Sequence, residues 1–157
     1  MDIPMNLVQA AEDMPREAEI QVLSFRTGNE LFGVPIHEVQ EVLLPRKVTP
    51  VPLAPEFVMG MISLRGQILT CIDTARRIGI QRPAPEADLH QIVVRTGQGT
   101  VSLSADSIGE VLAVKESEMK APPESLSSME AQYLFKVVPE GKEMLMLLDL
   151  NKVCGAE

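Results

Sequence analysis

Phe25-Arg26-Thr27-Gly28-Asn29-Glu30-Leu31-Phe32-Gly33-Val34 carries the first decisive pattern in the chain. Ile20, Val22, Leu23 and Phe25 lead into it as a strand. Thr27-Gly28-Asn29-Glu30 has the residues of a tight turn, and Leu31 to Val34 returns as a second strand. The pattern recurs after an offset of 94 − 25 = 69 positions, where Phe25 to Leu43 overlies Val94 to Leu112 without a gap. Arg26, Thr27, Gly28, Glu41, Val42 and Leu43 are matched identically by Arg95, Thr96, Gly97, Glu110, Val111 and Leu112. Apolar character is kept at Phe32/Val101, Val34/Leu103 and Val39/Ile108. A second pairing places Ile68-Leu69 and Ile72-Asp73 over Met144-Leu145 and Leu148-Asp149.

Two copies of one strand-rich unit follow from this: a hairpin, a short connector, then a second hairpin. A small sheet must cover both its edges and its apolar face. Closure into a barrel, with two barrels packed together, meets both needs. The expected fold is therefore all-β: two small β-barrels on a shared apolar seam, with short helices. Within the first copy, Ile36, Val39, Val42 and Leu43 have helical spacing and predict a short helical segment over 36–43. Pro45, Pro50, Pro52 and Pro55 force an extended, edge-type stretch. Phe57 to Ser63 and a buried strand from Ile68 to Ile72 flank a turn at Leu64-Arg65-Gly66-Gln67, and Ala75 to Ile78 reads as a short helix closed by Gly79. Residues 81–88 form the linker. The expected division is a tail over 1–18, with one helical turn around Leu7 to Ala11, lobe one over about 19–80 and lobe two over about 89–157. Exchange of a strand or helix between the lobes is allowed.

Composition narrows the function. The chain has 157 residues, and 14 Lys+Arg against 22 Asp+Glu leaves a net charge of −8. It is long enough to bury roughly 70% of its unfolded surface, so neither a disulfide nor a metal is needed for folding. An acidic chain with 3% aromatic residues suits neither phosphate neutralisation nor base stacking, which excludes a nucleic-acid binder. The N-terminus lacks a signal peptide's basic start and apolar run, and no apolar stretch approaches a membrane span. Cys71 and Cys154 stand far apart without metal-ligand spacing and read as small apolar residues of a reducing compartment.

Catalytic motifs are missing. Gly97-Gln98-Gly99 lacks the following helix that a phosphate loop requires and reads as a hairpin turn. His37 and His90 are the only imidazoles; His37 reads as exposed, and His90 opens a strand. Asp73 and Asp149 each follow an apolar strand and precede a short helix, as N-caps do. Ser127-Ser128-Met129-Glu130 fits either a capping box or a polar loop. Glu41 and Arg65 read either as charged residues turned to water or in a weak surface ion pair, or as polar contacts at the edge of an apolar recognition surface.

Val51-Pro52 through Pro55-Glu56-Phe57-Val58-Met59-Gly60-Met61-Ile62-Ser63-Leu64-Arg65-Gly66-Gln67-Ile68-Leu69-Thr70-Cys71-Ile72-Asp73 resembles the signature of the CheW family of chemotaxis coupling proteins. The resemblance extends from about Glu19 to Val153. It includes Gly33-Val34-Pro35-Ile36, Val39-Gln40-Glu41-Val42 and the strand from Met144 to Leu150. It implies two five-stranded β-barrels with an apolar core between them. It also implies a non-catalytic, cofactor-free cytoplasmic adaptor that couples chemoreceptors to a CheA-type histidine kinase, reaching receptor arrays at the inner membrane through its partners. Those partners are the kinase regulatory domain and the cytoplasmic tip of methyl-accepting chemoreceptors, with no nucleic acid and no direct membrane insertion.

By the same resemblance, Val39, Glu41, Arg65, His90, Ser102 and Val111 fall at or near receptor-facing positions, and Leu44, Val48, Thr49 and Val51 in the kinase-contact region. The chain departs from the family pattern at Ser63, Thr74, His90, Ser102, Ser107 and the Pro50/Pro52 pair. Two alternatives accompany the adaptor reading: an accessory CheW-like protein of a pilus, surface-motility or other non-flagellar pathway, and a stand-alone β-barrel module for a small ligand.

Overall fold

The computed structural model describes residues 18–81, 85, 88–97, 99–126 and 128–155, together with all but the side chains of Ser128 and Met129 in that last stretch. The helical turn expected around Leu7 to Ala11, most of the 81–88 linker, Gln98 and Ser127 of the capping box lie outside these residues. Among the described residues the chain forms ten strands. In order they are β1 (Glu19–Thr27), β2 (Glu30–Pro35), β3 (Val39–Leu43), β4 (Val58–Leu64), β5 (Gln67–Ile72), β6 (His90–Thr96), β7 (Gly99–Ala105), β8 (Ser107–Lys115), β9 (Leu134–Glu140) and β10 (Glu143–Leu148). Three short helices, α1 (Thr74–Ile78), α2 (Ser128–Gln132) and α3 (Leu150–Val153), complete it.

The strands make two five-stranded sheets, in the orders β8-β1-β2-β10-β9 and β3-β6-β7-β5-β4. Under the internal repeat, β1 to β5 correspond to β6 to β10, and the correspondence converts one strand order into the other. Each sheet joins the leading hairpin of one copy to the last three strands of the other. Sheet boundaries therefore do not follow the lobe boundaries at 80 and 89. Each sheet has two junctions between copies: one is parallel, β2 with β10 or β5 with β7, and the other is antiparallel, β1 with β8 or β3 with β6, as are the pairs within each copy.

The barrels are not closed. Among the described residues, the backbone pairing between the two edge strands of each sheet is a one-residue bridge from the chain crossing between them. Thr49 exchanges backbone bonds of 2.9 and 2.8 Å with Met61, and Lys120 exchanges bonds of 2.8 and 2.9 Å with Val137. Pro45, Pro50, Pro52 and Pro55 in one crossing, and Pro122 and Pro123 in the other, lack the N–H donors that a continuous ladder needs. Gly60 makes room for the first bridge: its φ is +151°, and a Cβ there would lie 2.3 Å from the Thr49 carbonyl oxygen.

The helical segment expected over 36–43 is a strand preceded by one 3-10 turn, Ile36–Glu38. β-branched Val39 and Val42 suit extended backbone, and β6 supplies the partner, with Val39 opposite Val94 and Leu43 opposite Gln91. The strand expected at Ile68 to Ile72 is present, but Ile68 points outward and is 68% exposed, while Leu69, Cys71 and Ile72 face inward. Asp73 and Asp149 are N-caps, accepting from the backbone N–H of Arg76 and Lys152 at 3.2 and 3.3 Å. Gly79 ends α1 in the left-handed conformation with φ +90°.

The largest apolar cluster lies between the sheets, where Leu23, Phe25, Phe32 and Val34 meet Ile72, Ile92, Val94 and Leu103. Phe25 and Phe32 stack with ring centroids 5.8 Å apart. Each sheet also curls over its own smaller core. Leu43, Ile62, Leu64, Leu69, Cys71 and Val93 fill one, and Val22, Val114, Val138, Leu145 and Leu147 fill the other.

Candidate partner-binding surfaces

Val39, Glu41 and Arg65 belong to the same sheet, at its open side. Val39 begins edge strand β3, is half-buried and packs against the seam core. Glu41 follows on the same strand. Arg65 occupies the β4–β5 turn with φ +51°, and Gly66 follows at +80°. Two successive left-handed residues are the backbone of a tight hairpin turn whose twist matches the strands it joins. Arg65 Nη1 donates to Glu41 Oε2, so the ion pair spans the gap between the β4–β5 turn and β3. The arginine side chain is 72% exposed and the glutamate 22%. A pair this accessible contributes about 0–1 kcal/mol to stability.

The other receptor-facing candidates lie elsewhere. Val111 is 50% exposed on β8, the edge strand of the other sheet. His90 opens β6 and is half-buried, at the end of the sheet where Leu44 leaves β3. Ser102 is fully buried, so it cannot touch a partner directly. It sits between Val93 and Cys71 in the sheet and donates to Gln91 Oε1 at 2.8 Å, satisfying a glutamine that is itself fully buried. The polarity that set Ser102 apart in the sequence is thus internal.

The kinase-contact candidates form one continuous stretch beside β4. Leu44 is exposed, Val48 is half-buried against the Leu43–Ile62–Leu64 core, Thr49 makes the backbone bridge to Met61, and Val51 is half-buried.

Several exposed apolar residues went unselected by sequence. Val42 on β3 is 40% exposed and is the repeat equivalent of Val111 on β8. Ile68 and Met144 are likewise equivalent, and both are exposed. The repeat alignment contained this signal, because each pair was matched there. Phe135 and Leu53 are also exposed. Leu53 has φ +65° in the proline-rich crossing, and nothing in its spacing marked it.

Charge around these surfaces is arranged in pairs. Arg26 on β1 makes a two-pronged contact with Glu143 on β10, at 2.8 and 2.7 Å. That hydrogen bonding raises the arginine's pKa and lowers the glutamate's. Burial, with Glu130 close by, raises the Glu30 carboxyl above its ordinary value. Burial also raises the Cys71 thiol and pushes Cys154 up to about 12, which leaves both thiols protonated and unreactive near neutral pH. Among the described residues no helix is long and apolar enough to cross a membrane.

Comparison with known proteins agrees with this geometry. The model of the CheW-like domain matches residues 21–157. The chemotaxis protein CheW of Klebsiella aerogenes is 30% identical over 137 residues, covering 87% of this chain and 82% of its own. Protein FrzA of Myxococcus xanthus is 30% identical over 148 residues, covering 92% and 89%. The crystal structure of the scaffolding protein TtCheW from Thermoanaerobacter tengcongensis superposes with a TM-score of 0.79 at 26% identity, covering 89% of this chain and 90% of that one. Two repeat-related sheets with exposed apolar edges, and a family match from β1 onward, lead to one assignment: the chain belongs to the CheW-like domain family and is a non-catalytic adaptor of chemosensory signalling.

Proposed function

We propose that this chain couples the cytoplasmic tip of methyl-accepting chemoreceptors to the regulatory domain of a CheA-type histidine kinase, in the cytoplasm at the receptor array. The family match over 21–157 carries this reading. The architecture supports it, because exposed apolar side chains stand on an edge strand of each sheet, Val42 on β3 and Val111 on β8, and can serve two partners. Val39, Glu41, Arg65, Val111 and His90 are the receptor-contact candidates. Leu44, Val48, Thr49 and Val51 are the kinase-contact candidates, where exposed backbone beside β4 can extend a partner's sheet. Ser102 acts from the interior, by holding Gln91.

The test is a pull-down of the purified chain with the kinase regulatory domain and, separately, with a receptor-tip fragment. Binding to both is expected, and Arg65→Glu is expected to weaken coupling while thermal stability stays native. A natively folded chain that binds neither partner overturns the proposal. A second reading, an accessory CheW-like protein of a pilus, surface-motility or other non-flagellar pathway, is favoured by one observation. Protein FrzA, which carries a different name, matches as much of this chain at the same identity as the CheW relative. Selective binding to one resident kinase among several would separate the two.

A further inference from the structure

We propose that Arg77 is a positioning residue that holds the two sheets in one fixed relation, by clasping the end of α3 from α1 at the centre of the internal repeat. α1 follows β5 of one sheet, and α3 follows β10 of the other. The helices are repeat equivalents: Asp149 lies 149 − 73 = 76 positions after Asp73, and Tyr133 lies 133 − 57 = 76 positions after Phe57. The structure keeps that equivalence, since the Asp73 N–H donates to the Phe57 carbonyl at 2.7 Å and the Asp149 N–H to the Tyr133 carbonyl at 2.9 Å.

Arg77 breaks the equivalence. It is 5% exposed, and its guanidinium reaches across to carbonyls at and just past the end of the other helix. Nε donates to Val153 at 3.0 Å, and Nη2 donates to Lys152 at 3.2 Å and to Gly155 at 2.8 Å. The Phe57 ring lies 3.9 Å from the guanidinium carbon and the Tyr133 ring 5.0 Å. One side chain on α1 therefore touches three other segments, so that four are linked, two leading into or out of each sheet. Removing a cation from water is costly. Carbonyls at a helix C-terminus and aromatic faces are the groups that offset that cost. The planar fork suits several carbonyls at once, whereas a lysine ammonium does not reach the same set. An adaptor that carries displacement from a partner on one sheet to a partner on the other needs the two sheets to move together, and Arg77 supplies that stiffness.

The test uses the full chain with spin labels at exposed Gln67 on β5 and Glu140 on β9, introduced as an unnatural amino acid so that Cys71 and Cys154 stay untouched. The parent is expected to give one narrow distance distribution. Arg77→Lys is expected to broaden it at least about twofold and to speed amide exchange at Lys152 to Gly155 about tenfold, with β1, β2, β6 and β7 still protected. A distribution as narrow as the parent's, with the sheets intact, overturns the proposal. Should Arg77→Lys lose sheet protection altogether, Arg77→Met decides, because it keeps a long apolar stem and leaves no buried charge while it removes the carbonyl contacts to Lys152, Val153 and Gly155. Broadening in that variant supports the clasp, and an unchanged distribution overturns it.

Discussion

Arg65, in the turn between β4 and β5, donates to Glu41 on β3, the opposite edge strand of the same sheet. The contact spans the gap that backbone pairing leaves open, but both partners reach water, so its energetic share is small. Glu41→Gln is expected to lower unfolding stability by less than about 1 kcal/mol, measured as a shift in urea midpoint. The backbone at Arg65 matters more. Its φ of +51° suits Asn and penalises β-branched residues. Arg65→Asn should stay within about 1 kcal/mol of the parent, and Arg65→Val should cost at least about 1–2 kcal/mol more than Arg65→Asn.

Gly60 is a stricter requirement. A methyl group there meets the Thr49 carbonyl oxygen at 2.3 Å and the Val48 side chain at 2.7 Å. Gly60→Ala is expected to destabilise the chain by more than about 2 kcal/mol and to release the 44–57 crossing from β4. Amide exchange at Met61, whose N–H donates to Thr49 at 2.8 Å, reports that release directly.

Thiol chemistry provides an independent check on burial. With its pKa pushed up to about 12, Cys154 should resist maleimide at pH 7.5, as should buried Cys71. Both are expected to label within minutes in denaturant. Labelling of either in the native chain at the rate of a free thiol contradicts the packing.

Glu30 sets a pH dependence whose sign is fixed by its raised pKa. Burial, and then Glu130, disfavour the ionised form in the native state, so the native chain holds this proton more tightly than the unfolded chain. Stability from this group is fully present below the ordinary glutamate value and is lost as pH rises through the raised value. Glu30→Gln should flatten that slope and raise Tm at pH 7 by about 1–3 °C, a modest gain because the residue is only half-buried. Thermal melts of parent and variant from pH 4 to 8 check both the slope and the offset.

Local patterns were legible in the sequence where local chemistry decides structure. The hairpin around Gly28, the turn at Arg65-Gly66, the caps at Asp73 and Asp149 and the stop at Gly79 all follow from residue type and spacing. The repeat was legible too, and it matched Val42 with Val111, although their shared exposure was not read from it. What escaped depends on partners distant in sequence. Ile36 to Leu43 has helical spacing, yet β6, some fifty residues later, claims Val39 to Leu43 as a strand. Ser102 resembles a surface position until Gln91 is placed beside it. Closed barrels follow from the need to cover edges, but the prolines of both crossings limit closure to a single bridge.

The exchange of strands between the two copies has a consequence for how the molecule comes into being. The sheet built from β3 to β7 has all its strands once β7 has left the ribosome, whereas the other, in which β2 waits for β10, is complete only when synthesis ends. The two partner surfaces therefore emerge in sequence, the one on the β3-to-β7 sheet first. A chain cleaved within 81–88 should yield fragments that are each unable to fold alone but regain structure on mixing, an interlocked pair rather than two modules.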